Sequence, residues 1–210
     1  MKEKELHDEL TSIRSLMERS SKFISLSGLS GIMAGVYALI GAYFAYQIVY
    51  TDTGLFYTRD YVIANIDNNQ GVLYTLMLIA AAVLISSLTT GAILTKRKAK
   101  RKGQQAWGKT SRSLLVHLAI PLVTGGILCV IFITRGYLGI VAPATLIFYG
   151  LALVSASNYT FGDVKYLGML EIALGLIAAL MPGYGLLFWA VGFGVLHIIY
   201  GSIMYFKYDG

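Results

Sequence analysis

The chain is poor in charged residues, and those that it has are confined to short stretches. Only 13% of its 210 residues are Asp, Glu, Lys or Arg, whereas 56% are hydrophobic. Soluble domains are about 25% charged and about 45–50% apolar. Because the uncharged stretches are also long, the composition excludes an ordinary soluble domain. It indicates an integral membrane protein with little room for a soluble catalytic domain beside it.

Cysteine is almost absent, and several common enzyme motifs are missing. Cys129 is the single cysteine, so no disulfide can form within the chain. The patterns HExxH, GxSxG and CxxC do not occur, nor does an Asp-rich pair. These absences favour a protein that is not an enzyme and that uses no cofactor. An enzyme acting on lipid at the inner leaflet is the least favoured alternative.

Six apolar stretches are long enough, or nearly so, to cross a bilayer. A crossing helix needs about 20 mainly apolar residues, and in lipid a helix pairs all of its own backbone groups. The predicted fold is therefore all-α, a polytopic bundle of six transmembrane helices arranged as three hairpins over residues 23–206. The predicted spans are 23–50, 72–95, 114–134, 138–157, 166–181 and 184–206.

Lys and Arg are distributed unequally between the two sides of this bundle. Of the 17 basic residues, only Arg59 and Arg135 fall in the connections after the first, third and fifth spans. Because cytoplasmic loops carry the excess of Lys and Arg, both termini are predicted to be cytoplasmic. The predicted location is the inner (plasma) membrane, which the chain crosses several times.

Two predicted cytoplasmic segments lie outside the spans. Residues 1–22 predict an amphipathic helix that lies on the membrane surface, with docking to a partner as the alternative. Its apolar positions recur at helical spacing: Leu6, Leu10, Ile13 and Met17. The predicted loop 96–112 contains KRKAKRK, which favours attraction to anionic lipid headgroups. No nucleic-acid-binding module surrounds it, so no nucleic-acid partner is expected.

Ionisable side chains are rare within the predicted spans. There are three: His117, Glu171 and His197. Such groups are costly in a membrane and are functional candidates by default. A rise of about 1.5 Å per residue places them in the inner half of the bundle. The same layer contains further polar candidates: Ser87, Thr90 and Tyr200. The sequence thus predicts a one-sided polar layer near the cytoplasm.

Glycines recur at the spacing of close helix contacts. Gly28, Gly31 and Gly35 share one face of the first span, and the last two form a GxxxG motif. Further glycines share faces with the ionisable residues: Gly168 and Gly175 with Glu171, and Gly194 and Gly201 with His197. Small residues let helix backbones approach in membranes. The pattern predicts packing within the chain, with a homodimer through the first span as the rival.

The polar layer favours a membrane protein that binds or transports a small ligand or ion through a cytoplasm-facing pocket. Glu171 would supply charge, and the histidines would titrate near neutral pH. The alternative is a non-catalytic membrane regulator or assembly factor acting through the N-terminal helix and the basic loop. A purely structural role for the polar residues is also open. Two His and one carboxylate can bind a transition metal, but they lie on three different spans without motif spacing, so no metal is predicted.

The last hairpin, residues 167–201, reads LGMLEIALGLIAALMPGYGLLFWAVGFGVLHIIYG. Its regular glycines, Pro182 at the outer turn and the closing IxxG resemble one hairpin of the HdeD/DUF308-type six-span bacterial membrane proteins. The resemblance covers about a sixth of the chain and implies a three-hairpin fold linked to stress responses rather than to catalysis. The first four spans lack the repeated Pro turn, and the basic loop and the N-terminal helix are further departures.

Overall fold

The computed structural model describes residues 27–50, 70–101 and 107–208, and the predicted N-terminal helix over 1–22 lies outside these ranges. The described residues are helical and contain no strand, which confirms the all-α prediction. The helices are α1 (Gly28–Tyr50), α2 (Gln70–Arg101), α3 (Lys109–Thr134), α4 (Leu138–Tyr159), α5 (Val164–Leu180) and α6 (Gly185–Tyr208). Helix α4 begins and ends with a 3₁₀ turn, and α6 contains a π-helical segment, Ala190–Leu196.

The length and apolar character of these helices are those of a multi-pass integral membrane protein. Within the described ranges, five helices are long and apolar enough to cross a bilayer: α1, α2, α3, α4 and α6. Helix α5 has 17 residues, which is about 26 Å of helix. Many large apolar side chains face outward, among them Leu180 at 82% exposed and Phe206 at 81% exposed. Such residues suit contact with lipid rather than water.

The basic segment differs from its prediction as a loop over 96–112. Helix α2 continues to Arg101, and α3 already begins at Lys109. Lys and Arg are good helix formers, and basic residues near a helix C-terminus interact favourably with the helix dipole. A membrane-spanning helix therefore has no reason to end where its apolar stretch ends.

Two glycines form the tight turns at the end of the bundle opposite the basic segment. Gly136 has φ 78° and Gly183 has φ 95°, a left-handed conformation that glycine adopts without steric cost. After α3, the N–H of Tyr137 donates to the carbonyl of Phe132 at 2.8 Å, and the N–H of Gly136 donates to that of Ile133 at 3.1 Å. This pair of bonds is a Schellman motif, and it returns the chain directly into α4.

The helices form two groups that meet at α6. Helix α1 packs between α2 and α6, whereas α4 packs between α3 and α5. Helix α6 joins the groups through contacts with α4 and α5. No extensive interface connects α2 with α3 in the described residues. The bundle therefore has two arms, α2 and α3, that stand apart on one side.

Candidate functional site

A cavity of about 530 Å³ lies between these two arms, at the basic end of the bundle. All six helices contribute to its wall, each with residues from the half nearest that end. Lys96, Trp107 and Met204 lie at its rim, and Ser87, Tyr149 and His197 lie at its deep end. From Ser87 to Lys96 the helix rises about 14 Å. The volume is typical of a pocket for a small organic ligand.

The wall between the two ends of the cavity is mainly apolar. It consists of leucine side chains and of small residues on α1 and α2, including Ala34, Gly91 and Ala92. A Cβ added at Gly91 would meet no atom within 4 Å, so this glycine widens the cavity rather than supporting a helix contact. Among the residues that the structure describes, no helix lies across the side between α2 and α3. These residues therefore leave a lateral route from the bilayer into the cavity.

At the deep end, Tyr149 and His197 form a direct hydrogen bond between α4 and α6. The Tyr149 hydroxyl lies 2.6 Å from Nε2 of His197, and Nδ1 of His197 lies 3.0 Å from the backbone carbonyl of Gly192. A carbonyl only accepts, so Nδ1 carries the hydrogen. In the neutral imidazole Nε2 is then the acceptor, and Tyr149 donates to it. The bond to Gly192, five residues earlier, spans the π-helical segment of α6.

Behind His197 lies Glu171, which has no exposed surface. Its Oε1 is 3.5 Å from Nδ1 of His197, and neither carboxyl oxygen accepts a hydrogen bond from any described residue. Gly192 leaves the space for this carboxyl, because an added Cβ there would lie 2.5 Å from Oε2 of Glu171 and 2.5 Å from Leu146. The structure thus brings two predicted residues together in a chain from Tyr149 through His197 to Glu171.

Two more of the predicted polar residues line the same cavity. The hydroxyl of Tyr200 is buried and has no hydrogen-bond partner among the described residues. It follows His197 by three residues, so the two side chains share one helix face. Ser87 approaches the cavity from α2. Tyr149 was not among the predicted residues, although an isolated tyrosine in the middle of an apolar span, far from either aromatic belt, is a usable signal.

The remaining polar candidates lie elsewhere. Nδ1 of His117 is 2.8 Å from the carbonyl of Ser113, and its Nε2 is 3.2 Å from the hydroxyl of Tyr159. Both ring nitrogens therefore have hydrogen-bond partners. His117 lies at the contact between α3 and α4 and does not contact Glu171. Thr90 lies 3.2 Å from the hydroxyl of Tyr37 and connects α2 with α1. Neither residue lines the cavity.

The predicted packing glycines lie at close contacts between helices of the same chain. Gly28, Gly31 and Gly35 face α6, and a Cβ added at Gly35 would lie 2.6 Å from the carbonyl oxygen of Gly194. A Cβ at Gly201 would lie 2.5 Å from the backbone nitrogen of Ile32 on α1. On the other group of helices, Gly168 and Gly175 of α5 face α4: the former approaches Gly150, and the latter Pro143.

A polar network lies at the basic end of the bundle. Nζ of Lys207 lies 2.6 Å from Oδ2 of Asp163, and the hydroxyl of Tyr208 donates to the same oxygen at 2.9 Å. The Lys207 hydrogen bond holds the pKa of the Asp163 carboxyl below its usual range. Phe161 stacks on Tyr208, and Nζ of Lys98 lies 5.5 Å from the centroid of the Phe161 ring. These contacts join α2, α6 and the connection between α4 and α5.

One sequence pattern between α2 and α3 resembles a phosphate-binding loop. Residues 103–110 read GQQAWGKT and fit the GxxxxGK[ST] pattern. That loop requires a strand before it and a helix after it. Here α2 ends at Arg101 and α3 begins at Lys109, and the N–H of Gly108 donates to Oγ of Ser111 at 2.8 Å. With a helix where the strand should be, the pattern does not identify a nucleotide site.

Among residues 27–50, 70–101 and 107–208, no group of three or more His, Cys, Asp or Glu side chains could hold a metal ion. Comparison of the chain with protein-family models, with curated proteins and with solved structures found no match. The cavity and its polar deep end are therefore the features from which a function can be argued.

Proposed function

We propose that this protein binds a chain-like, mainly apolar small molecule in the cavity at the basic end of its bundle. The observation that carries the proposal is the cavity itself, about 530 Å³ in volume and lined by all six helices. A small ion would need several oxygen ligands around it, whereas this wall is apolar between its two ends. The sequence predicted a polar pocket, whereas the proposed pocket is mainly apolar and is polar at its deep end.

The proposal includes a membrane topology of six crossings with both chain ends in the cytoplasm. Support for the sixth crossing comes from α5, whose 17 residues reach the lower limit for a crossing helix. Helix α5 also packs along α4, and glycine turns precede both α4 and α6 at the same end of the bundle. The excess of Lys and Arg supports a cytoplasmic basic end. The cavity then opens toward the inner leaflet.

A photoreactive lipid tests the binding proposal directly. Purified protein in vesicles is incubated with hexadecanol that carries a diazirine in mid-chain, irradiated, and digested for mass spectrometry. We expect adducts at cavity residues such as Leu114 and Leu118, and we expect unlabelled hexadecanol to prevent them. Adducts only at outward-facing positions such as Val123, without competition, would contradict the proposal.

A matched pair of glycine substitutions distinguishes the cavity from the lipid-facing surface. Gly91→Leu fills the cavity, and Gly126→Leu adds the same side chain on α3 outside it; a Cβ at either site meets no atom within 4 Å. Both changes replace glycine with a better helix former, so neither should weaken its helix. Competable labelling should fall about tenfold in Gly91→Leu, as expected for about 1.4 kcal/mol of lost binding, and should be unchanged in Gly126→Leu.

A further inference from the structure

We propose that the deep end of the cavity is a subsite for a single hydroxyl group, so that the ligand is a long-chain alcohol. This inference rests on the proposed binding function and specifies its ligand. The subsite comprises the hydroxyls of Tyr149 and Tyr200, with His197 and Glu171 behind them. The alcohol head lies in the subsite, and its apolar chain extends along the leucine-lined wall toward the gap between α2 and α3.

The first part of the argument is the direction of the hydrogen bond at Tyr149. Its hydroxyl hydrogen is used by Nε2 of His197, at 2.6 Å, because Nδ1 carries the imidazole hydrogen toward Gly192. The phenolic oxygen keeps its lone pairs, and Tyr149 lines the cavity. At this wall Tyr149 is therefore a hydrogen-bond acceptor, and the ligand must supply a donor.

The second part is the unused hydroxyl of Tyr200. This atom is buried and has no partner among the described residues, although buried hydroxyls are normally hydrogen-bonded. The Tyr200 ring packs against the same hydrophobic cluster as Tyr149, a cluster that includes Leu153 and Leu167. Both tyrosines line the cavity. The Tyr200 hydroxyl itself has no exposed surface, so it donates to a ligand there once its side chain turns toward the cavity.

A hydroxyl is the simple group that meets both requirements, because it donates one hydrogen bond and accepts another. An ether oxygen accepts but cannot donate, and a carboxylate only accepts. An ammonium only donates, so the hydroxyl hydrogen of Tyr200 would have no acceptor. The charged or titratable groups next to the subsite are His197 and Glu171, which lie 3.5 Å apart, together with Asp163 and Tyr208, which are close enough to act on Tyr200 electrostatically. The two carboxyl groups disfavour an anionic head further.

Glu171 acts in this site as a positioning residue. It touches His197 rather than the cavity, and it lies beside the same Nδ1 that donates to Gly192. An acceptor beside one ring nitrogen fixes the hydrogen there and leaves the other nitrogen as the acceptor. The carboxyl thus helps to keep the Tyr149 hydroxyl turned toward His197, with its lone pairs toward the ligand.

Competition by four molecules with the same chain tests the assignment. Hexadecanol, hexadecyl methyl ether, hexadecylamine and palmitate each compete with the diazirine probe for wild-type protein in vesicles. We expect hexadecanol to compete best, about tenfold more strongly than the ether, since the ether cannot donate a hydrogen bond to the Tyr149 oxygen. Equal competition by alcohol and ether, or stronger competition by amine or palmitate, would overturn the inference.

Two tyrosine variants assign the donor and the acceptor separately. Tyr149→Phe should remove the preference for alcohol over ether, because the ether makes no bond to Tyr149. Tyr200→Phe should weaken alcohol and ether together and keep their ratio, because both accept from Tyr200. In Tyr149→Phe, ether binding should therefore stay unchanged, and weaker ether binding would indicate general damage to the cavity. Tyr166→Phe, at an exposed site outside the cavity, is the matched control.

The two proposals fail in different ways. Suppose that Gly91→Leu abolishes competable labelling, while the four molecules compete equally for wild-type protein. The cavity then binds apolar chains, and the hydroxyl subsite is wrong. If no molecule competes with the probe and Gly91→Leu changes nothing, the binding function itself is wrong. A retained alcohol preference in Tyr149→Phe would refute the assigned acceptor even when hexadecanol binds well.

Discussion

At the scale of single residues, a glycine makes room for the most deeply buried carboxyl described above. Glu171 has no exposed surface, and a Cβ at Gly192 would fall 2.5 Å from its Oε2. Gly192 also supplies the carbonyl that holds Nδ1 of His197. One small residue thus sets both the position of the carboxyl and the orientation of the imidazole.

We expect Gly192→Ala to destabilise the protein, although alanine normally improves a helix by about 0.5–1 kcal/mol relative to glycine. The new methyl group overlaps Glu171 and Leu146, which are fully buried and have little room to move, and such overpacking costs about 1–3 kcal/mol. The measurement is the midpoint of thermal unfolding in detergent, followed by near-ultraviolet circular dichroism. The control is Gly126→Ala, whose Cβ meets nothing within 4 Å. A midpoint for Gly192→Ala equal to that control would disprove the close fit.

Two residues of this site could be predicted from the sequence, but their arrangement could not. Glu171 and His197 are recognisable because a membrane-buried ionisable residue is unusual wherever it lies. Their proximity, and the bond of His197 to Tyr149, depend on the packing of α4, α5 and α6, which local spacing does not encode. His117 looked equivalent in sequence, yet it contacts Tyr159 on α4 instead.

At the scale of elements, the π-helical segment Ala190–Leu196 connects the site to the fold. It ends immediately before His197 and contains Gly192 and Gly194. Single π turns often occur at functional sites, where they change the backbone groups that are available. Here the side chain of His197 reaches the carbonyl of Gly192, five residues earlier, at 3.0 Å. A hydropathy pattern identifies a span but contains no signal for such a change in helical winding.

The interface between α1 and α6 should depend on glycine where backbones meet and less where side chains can adjust. A Cβ at Gly201 would lie 2.5 Å from the nitrogen of Ile32 and 2.8 Å from the carbonyl oxygen of Gly28. At Gly194 it would meet only the flexible side chain of Leu39. We expect Gly201→Ala to lower the thermal midpoint and the monodisperse yield more than Gly194→Ala does. The reverse order would contradict a backbone contact at Gly201.

The extent of the helices was less predictable than their existence. Residues 72–95 are the apolar part of α2, but the helix runs from Gln70 to Arg101. Hydrophobicity marks the part that lies in lipid, whereas the helix itself ends where capping and neighbouring contacts end it. The basic residues of α2 therefore extend the helix beyond the rim of the cavity.

At the scale of the whole molecule, neighbours in sequence are not always the main neighbours in space. The Gly183 turn joins α5 to α6, yet α5 packs chiefly on α4 and α6 chiefly on α1. The observed arrangement leaves α2 and α3 apart, and the cavity lies between them. This arrangement depends on long-range packing, so the sequence predicts the hairpins but not the gap.

The six-crossing topology can be tested with cysteines placed at successive turns. In a Cys129→Ala background, Arg135→Cys and Pro182→Cys mark the two glycine turns, while Lys165→Cys marks the start of α5. We expect a membrane-impermeant maleimide to label the first two in intact cells and Lys165→Cys only after permeabilisation, because basic loops stay in the cytoplasm.

If α5 lay on the membrane instead of crossing it, positions 165 and 182 would be labelled from the same side. That result would place Lys96 and the rim of the cavity on the opposite side of the membrane from Lys207, although Asp163 and Lys207 are bonded at the same end of the bundle. The bond therefore strengthens the expectation that labelling will alternate from each turn to the next.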